Sequence, residues 1–324
     1  MTQAAPHHHH ATVEERVGLG YAAAAAVIYG AAYPATAIAL ASFTPLAIAG
    51  IACTIALVLV VLLAWAGVLP RPSLDDLDAP RAIRLLTLSG LGGVGFIAAT
   101  NLAVALSGST VTGFVTPLYA VAAAVLAVPI LGERLRLTSL AAFAVAIVGT
   151  ALLAGGLPDL DAALGVAIAL VAAVLFGLYI VLARRWAVPY RLDGTLVTIG
   201  NLIGRGPILL AVEAVRSGGT IVPADPTPAA VLAILVIAIG PSSAANLLLM
   251  ASVRRVPASR TSAALLLTPI SSAVIGALLL ADHLAPIQLL GAALILVGIA
   301  VASGVLATRR GRATASPAAD LGPG

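Results

Sequence analysis

Ten apolar runs, most of them over twenty residues long, divide this 324-residue chain. They lie near 17–40, 45–69, 82–106, 109–131, 137–155, 162–183, 194–215, 229–251, 258–281 and 286–307. A helix rises about 1.5 Å per residue, so roughly 20 residues cross the ~30 Å hydrocarbon core of a bilayer. The fold class this predicts is all-α and integral to a membrane, with ten transmembrane helices. Composition agrees: 61% of residues are hydrophobic and 9% are charged, where a soluble domain carries about 25% charged residues. Mean hydropathy is +1.11. Only 70–81, 184–193 and 216–228 offer longer connections, and each carries Pro or Gly with charge.

The charges test this reading. All 17 basic residues are arginine. If alternate connections share a side, Arg16, the three central pairs or triplets at 134–136, 184–191 and 254–260, the group at 71–84 and the C-terminal Arg309, Arg310 and Arg312 all fall together. Only Arg205 and Arg216 fall elsewhere. The positive-inside rule then puts both termini in the cytoplasm. Trp65 and Trp186 fall at helix ends on that side, where interfacial aromatics belong. Arginines scattered among short connections form no basic face, which argues against nucleic acid despite the net charge of +4. The wealth of Ala and the absence of Lys suggest a GC-rich bacterial source, and hence the inner (plasma) membrane. Cys53 is the only cysteine, so the chain closes no internal disulfide.

The chain also repeats itself. "ILGERLRLTSLAAFAVAIVGTALLAGG" (130–156) aligns with "LLADHLAPIQLLGAALILVGIAVASGV" (279–305), pairing Glu133 with Asp282, Leu140 with Leu289 and Gly149 with Gly298. "GFIAATNL" (95–102) aligns with "GPSSAANL" (240–247), pairing Asn101 with Asn246. The expected organisation is a tail at 1–16, five spans at 17–156, five more at 157–307 and a tail at 308–324. Five is odd, so the second copy enters the membrane from the opposite side. Such inverted-topology repeats are a common plan for secondary transporters, with the substrate site near the midplane between the halves.

Five plus five spans, with "GER" after the fourth and "ADHL" at the matching place after the ninth, resemble the EamA-like branch of the drug/metabolite transporter superfamily. Residues 251–304 carry most of the likeness, which extends over roughly 17–307. The second copy departs from the pattern, with Ala281-Asp282 where Gly-Glu is usual. The resemblance implies a carrier of the amino-acid and metabolite exporter type; the inverted repeat implies alternating access, and no cofactor is expected. Its partners would be a small solute and the lipid bilayer, with a homodimer left open.

The residues themselves offer one strong candidate. Arg205 in "GNLIGRGPILL" lies eleven residues into the seventh span, about 17 Å deep at helical rise. Arginine stays protonated in proteins, and a central charge costs about 2.5–3.5 kcal/mol on an insertion scale. It must therefore face a cavity, a partner or water. Gripping an anionic group in bidentate fashion is one role. Pairing with backbone carbonyls or with Glu213 is one structural alternative, and a shifted seventh span that brings Arg205 nearer an interface is another. Gly206-Pro207 is expected to weaken the helix beside it. Asn201 shares its helical face, being four residues away. Further substrate-binding candidates at similar depth are Tyr29 and Tyr33, Asn101, Tyr119, Tyr179, Ser243 and Asn246, and Ser272. Thr36, Thr116 and Ser271 belong with them. Glu213 is the one acid inside a span and the sole candidate for proton coupling.

Two motifs mislead. "GLGGVG" (90–95) matches a dinucleotide-binding fingerprint, but it sits inside a span with no acid about twenty residues on. Close helix approach explains its glycines better. His7–His10 reads as a polar tail, native or a tag remnant, and not as a metal site. No catalytic Ser–His–Asp set, zinc cluster or phosphate loop lies at membrane depth, which counts against a membrane enzyme. A non-transporting receptor or scaffold leaves the repeat and the deep polar residues unexplained. Multidrug efflux is the closer alternative, but cationic drugs call for an intramembrane carboxylate, whereas the deep charge here is positive.

Overall fold

The computed structural model describes residues 13–69, 78–132, 137–153, 160–187, 190, 194–253, 255, 264–265, 267–281 and 284–302. His7–His10, Glu133, Asp282, His283 and the C-terminal tail lie outside the described residues. Among the described residues all regular structure is helical. We label the principal helices α1 (Val13–Ala39), α2 (Pro45–Trp65), α3 (Ala79–Ser107), α4 (Ser109–Leu131), α5 (Leu137–Leu153), α6 (Leu160–Ala187), α7 (Gly194–Arg216), α8 (228–253), α9 (Leu267–Leu280) and α10 (Pro286–Ala302).

Seven of these, α1 to α4 and α6 to α8, are long and apolar enough to cross a membrane. The described parts of α5, α9 and α10 are shorter apolar helices. The outward faces of the bundle carry bare apolar side chains such as Leu62, Ile83, Val174, Leu232 and Leu278. An exposed surface of this kind suits lipid, in which every backbone group must be satisfied within its own helix.

Local chemistry sets where the helices start and stop. Thr44 caps α2, accepting from the Ala47 amide at 3.2 Å, with Pro45 in the first helical position. Thr227 does the same for α8, accepting from Ala230 at 3.3 Å before Pro228. Asp78 caps α3 through the Arg81 amide at 2.9 Å. Such caps satisfy amides that lack intrahelical partners, and proline at the first position costs no hydrogen bond. Gly132 ends α4 in the left-handed region, at φ +70°. Its repeat partner Ala281, after α9, is left-handed too, at φ +55°.

The packing follows a two-fold pattern. α1 lies against α8 and α9, and α6 lies against α3 and α4. α2 packs on α8, and α7 packs on α3. α2 meets α7, α4 meets α9, and α5 meets α10. Exchanging the two sets of five helices leaves this list unchanged. The α5–α10 crossing is close because Gly149 and Gly291 face one another: a Cβ on Gly149 would stand 2.7 Å from the Gly291 carbonyl oxygen.

Both α3 and α8, which correspond under this exchange, contain a π-helical segment. In α3 it is Ser89–Gly95, and in α8 it is Gly240–Ala244. A π segment inserts an extra residue into an α-helix and is frequent at functional sites. The glycine-rich run that mimics a dinucleotide fingerprint is thus a wide helical turn. It allows close approach, as its composition suggested: Gly92 meets the Tyr179 ring, and Gly93 meets the Asn201 backbone and the Arg205 side chain.

Candidate functional site

α7 is 23 residues long, and Arg205 is its middle residue. The helix runs unbroken through Pro207, so the weakening expected at Gly206-Pro207 does not interrupt it. Pro207 and Ile203 are both exposed on the outer face of the bundle. The proline denies the Ile203 carbonyl its usual partner there, away from the buried face. The glycines have a different role. A Cβ on Gly206 would stand 2.8 Å from Thr54 Oγ1 and 3.1 Å from the Thr54 amide nitrogen on α2. A Cβ on Gly204 would collide with Ser89 on α3. The glycines either side of Arg205 therefore let α2 and the π turn of α3 close around it.

Arg205 is 8% exposed. Its Nε is buried without a hydrogen-bond partner, and among the described residues no carboxylate pairs with it. The alternative of an ion pair with Glu213 is not realised. Glu213, 1% exposed, binds Arg216 through two contacts of 2.9 Å and accepts a 2.8 Å hydrogen bond from Thr44 Oγ1. It sits at the far end of α7 and joins that helix to the cap of α2.

The guanidinium acts electrostatically on Tyr29, Tyr179 and Cys53, so these groups share its neighbourhood. Asn201, one turn before it, donates from Nδ2 to the Tyr179 hydroxyl at 3.2 Å. Asn201 Oδ1 is buried without a partner. The Tyr29 hydroxyl donates to Asn246 Oδ1 at 2.7 Å, linking α1 to α8. Asn246 Nδ2 donates to the Pro241 and Ser242 carbonyls at 3.2 and 3.1 Å, so the π segment of α8 fixes its orientation. Four rings cluster around Phe176 beside this group: Phe96 and Tyr179 stack on it at 4.4 and 5.2 Å, and Tyr119 meets it edge-on at 4.9 Å. The α3 and α6 phenylalanines were not legible as neighbours of the site, because nothing in their spacing marks them apart from core residues.

The other candidates have local duties. The Tyr33 hydroxyl lies 2.7 Å from Thr116 Oγ1, and Thr116 donates to the Thr112 carbonyl at 2.7 Å. Ser272 packs against Gly113, with its Oγ buried and unpaired. Ser271 donates to the Thr268 carbonyl at 3.0 Å. These belong to the meeting of α1, α4 and α9. Ser243 donates back to the Ala238 carbonyl at 2.8 Å, within its own helix. Asn101 lies away from the Arg205 group: its Nδ2 donates to the carbonyl of Pro45, at the start of α2, at 3.1 Å. Thr36 is buried in α1, six residues before the Ser42–Thr227 contact.

One solved structure, titled only "Crystal structure of protein", matches 90% of this chain and 98% of its own with a TM-score of 0.61. At 19% identity it shows a shared fold and nothing finer. No curated protein matches the chain. The sequence profile of the EamA-like transporter family matches twice, over residues 16–155 and 163–304. The two matches coincide with the two halves that the packing exchanges, and the chain belongs to the EamA-like transporter family.

Proposed function

We propose that this protein is a secondary carrier, working as an exporter, for a small polar metabolite that bears a carboxylate, such as an amino acid or a related compound. It would lie in a bacterial inner membrane as ten spans with both termini cytoplasmic, the shorter α5, α9 and α10 completing the count. The two halves, inserted in opposite senses, would rock about the centre in alternating access.

One observation carries this reading: Arg205 at the middle of α7 is buried, its Nε has no hydrogen-bond partner, and no carboxylate among the described residues pairs with it. An arginine that leaves water without an anion is costly, and a carboxylate ligand supplies the missing partner by charge-assisted hydrogen bonds. Asn201 adds a second requirement. Its unpaired Oδ1 is an acceptor one turn away and is satisfied by an N–H or O–H donor. A carboxylate beside an ammonium, as in an α-amino acid, meets both demands. Glu213 is a poor support for proton coupling, because its carboxylate is already held by Arg216 and Thr44. A carrier driven by the solute's own gradient fits the site as well as a proton antiporter.

The test is a thermal-shift screen of the purified protein and Arg205→Gln against amino acids, organic acids and organic cations. A ligand that binds only the native state raises its apparent stability. Carboxylates should stabilise the parent and leave the variant unmoved. Stabilisation of both proteins alike, or by organic cations instead, would overturn the assignment and favour multidrug efflux.

A further inference from the structure

Between the Arg205 group and one end of the bundle lies an apolar plug. Leu85 and Leu88 of α3 meet Leu182 and Trp186 of α6 and Leu196 and Val197 of α7. The same cluster reaches inward to Tyr179, the partner of Asn201, and outward to Tyr190 in the α6–α7 connection. It is therefore continuous from the candidate site to the end of the bundle. α3 belongs to the first half, whereas α6 and α7 belong to the second, so the plug can persist only while the halves stay together at this end.

Arg84 lies over the plug. It is the residue before Leu85, one turn above Leu88. Its guanidinium carbon is 3.5 Å from the centre of the Tyr190 ring and 5.7 Å from that of Trp186. Nη2 donates to the Tyr190 hydroxyl at 2.7 Å, and Nη1 donates to the Pro80 carbonyl at 2.6 Å. Nε is buried and unpaired. A cation held partly out of water against aromatic faces binds them more strongly than an exposed one. A second contact of the same kind occurs at this end: the Arg255 guanidinium, after α8, lies 5.4 Å from the Tyr21 ring of α1. It too joins the two halves. At the opposite end the halves are joined by different chemistry, through Thr44 on Glu213 and Ser42 on Thr227.

We propose that Arg84, clasped by Tyr190 and Trp186, is the latch of a gate whose body is the Leu85–Leu88–Leu196 plug, and that it closes the Arg205 site toward the end of the bundle where α1 begins. The role rests on the transport reading above, in which the halves separate at one end at a time. Arg84 does not touch the solute. It sets how often this end opens.

The experiment reads opening directly and needs no solute. In a Cys53→Ala background, Leu88→Cys places a reporter thiol at a position that is 0% exposed. Its rate of maleimide labelling is measured in the purified protein, in parallel with a control reporter, Leu209→Cys, buried on α7 beyond Arg205. Arg84→Gln and Tyr190→Leu should each speed labelling at 88 by roughly tenfold, within the span of a partly desolvated cation–π contact. The double variant should be little faster than either single one, because both remove the same interaction. Arg84→Lys, which keeps the charge but loses the planar fork, should fall between parent and Arg84→Gln. Unchanged labelling at 88 overturns the latch, as does an equal rise at 209, which would mean general loosening. If Arg84→Gln does not fold, Tyr190→Leu and Arg84→Lys carry the same comparison. If no carboxylate binds at Arg205, the solute assignment fails and this measurement still stands.

Discussion

α2 and α7 hold the same place in their two halves and lie against one another, yet they have diverged almost completely. α2 reads "PLAIAGIACTIALVLVVLLAW" and contains no charge. Its polar group toward α7, Thr54, spends its hydroxyl on the Gly50 carbonyl of its own helix at 2.8 Å. α7 carries Asn201, Arg205 and Glu213, and two of these hold buried polar atoms without partners. A duplicated fold needs both helices to pack, but it needs only one to bind. The scaffold has stayed two-fold, while the charges of this helix pair and its unpartnered polar atoms lie on α7.

The largest expected effect comes from removing that asymmetry. Arg205→Gln should lower transport of a carboxylate solute by on the order of 100-fold, the loss of a charge-assisted bidentate contact. Without solute, the variant should melt no lower than the parent, since an unpaired buried charge is gone. Thr54→Val, nearly equal in shape on the facing helix, should change transport less than about twofold, because the hydroxyl it removes is bonded internally. Uptake into proteoliposomes decides this. If both variants fail equally, α2 contributes to binding and the division of labour drawn above is wrong.

A second contrast separates the two residues that follow Arg205. Gly206→Ala drives a methyl group toward the Thr54 backbone, and overpacking of this kind costs about 1–3 kcal/mol. Pro207→Ala should do the reverse. It restores an amide to a helix that is already continuous, on the exposed face, and proline inside a helix costs about 3 kcal/mol where nothing compensates it. Thermal melting of the two variants should therefore move in opposite directions. A fall for Pro207→Ala would mean that the proline shapes α7 in a way its unbroken helix does not reveal.

These contrasts also show what the residues could disclose beforehand. The mid-helix position of Arg205 was legible, because the edges of the apolar run fix where along α7 it lies. The two-part organisation was legible because charged and amide residues recur at one offset in an otherwise monotonous chain. The close approach at the glycine run was legible from composition, but the π turns were not, since one inserted residue leaves no periodic trace in an Ala-, Leu- and Gly-rich helix. The partner of Asn101 was not legible for a related reason. Its distance along α3 is readable, but its partner is the Pro45 carbonyl on another helix, and that depends on how the helices cross. Pro207 was read by its effect on an isolated helix, whereas the face it occupies determines what the lost hydrogen bond disturbs.

The smallest expected effect compares the ends of α4 and α9, where the repeat has Gly132 and Ala281. Both residues are exposed and both take positive φ, +70° and +55°. A Cβ on Gly132 would meet nothing within 4 Å. The penalty for a side chain there is therefore conformational and not steric crowding by neighbours. An L-residue in the left-handed region costs roughly 1–2 kcal/mol. Glycine recovers this but loses more freedom on folding, about 0.4–1 kcal/mol. The net gain for Ala281→Gly should be about 0.5–1 kcal/mol, and Gly132→Ala should lose a similar amount. For a chain of this size that is a shift in melting temperature of only about 2 °C, upward for the first and downward for the second. Opposite shifts of equal size would mean that the two helix ends are equivalent and differ only in the residue that sits there. A gain absent at 281 with a loss present at 132 would instead place the second copy's turn under tertiary restraint. The alanine would then belong to a turn held by its surroundings, one more feature in which the second half has departed from the first.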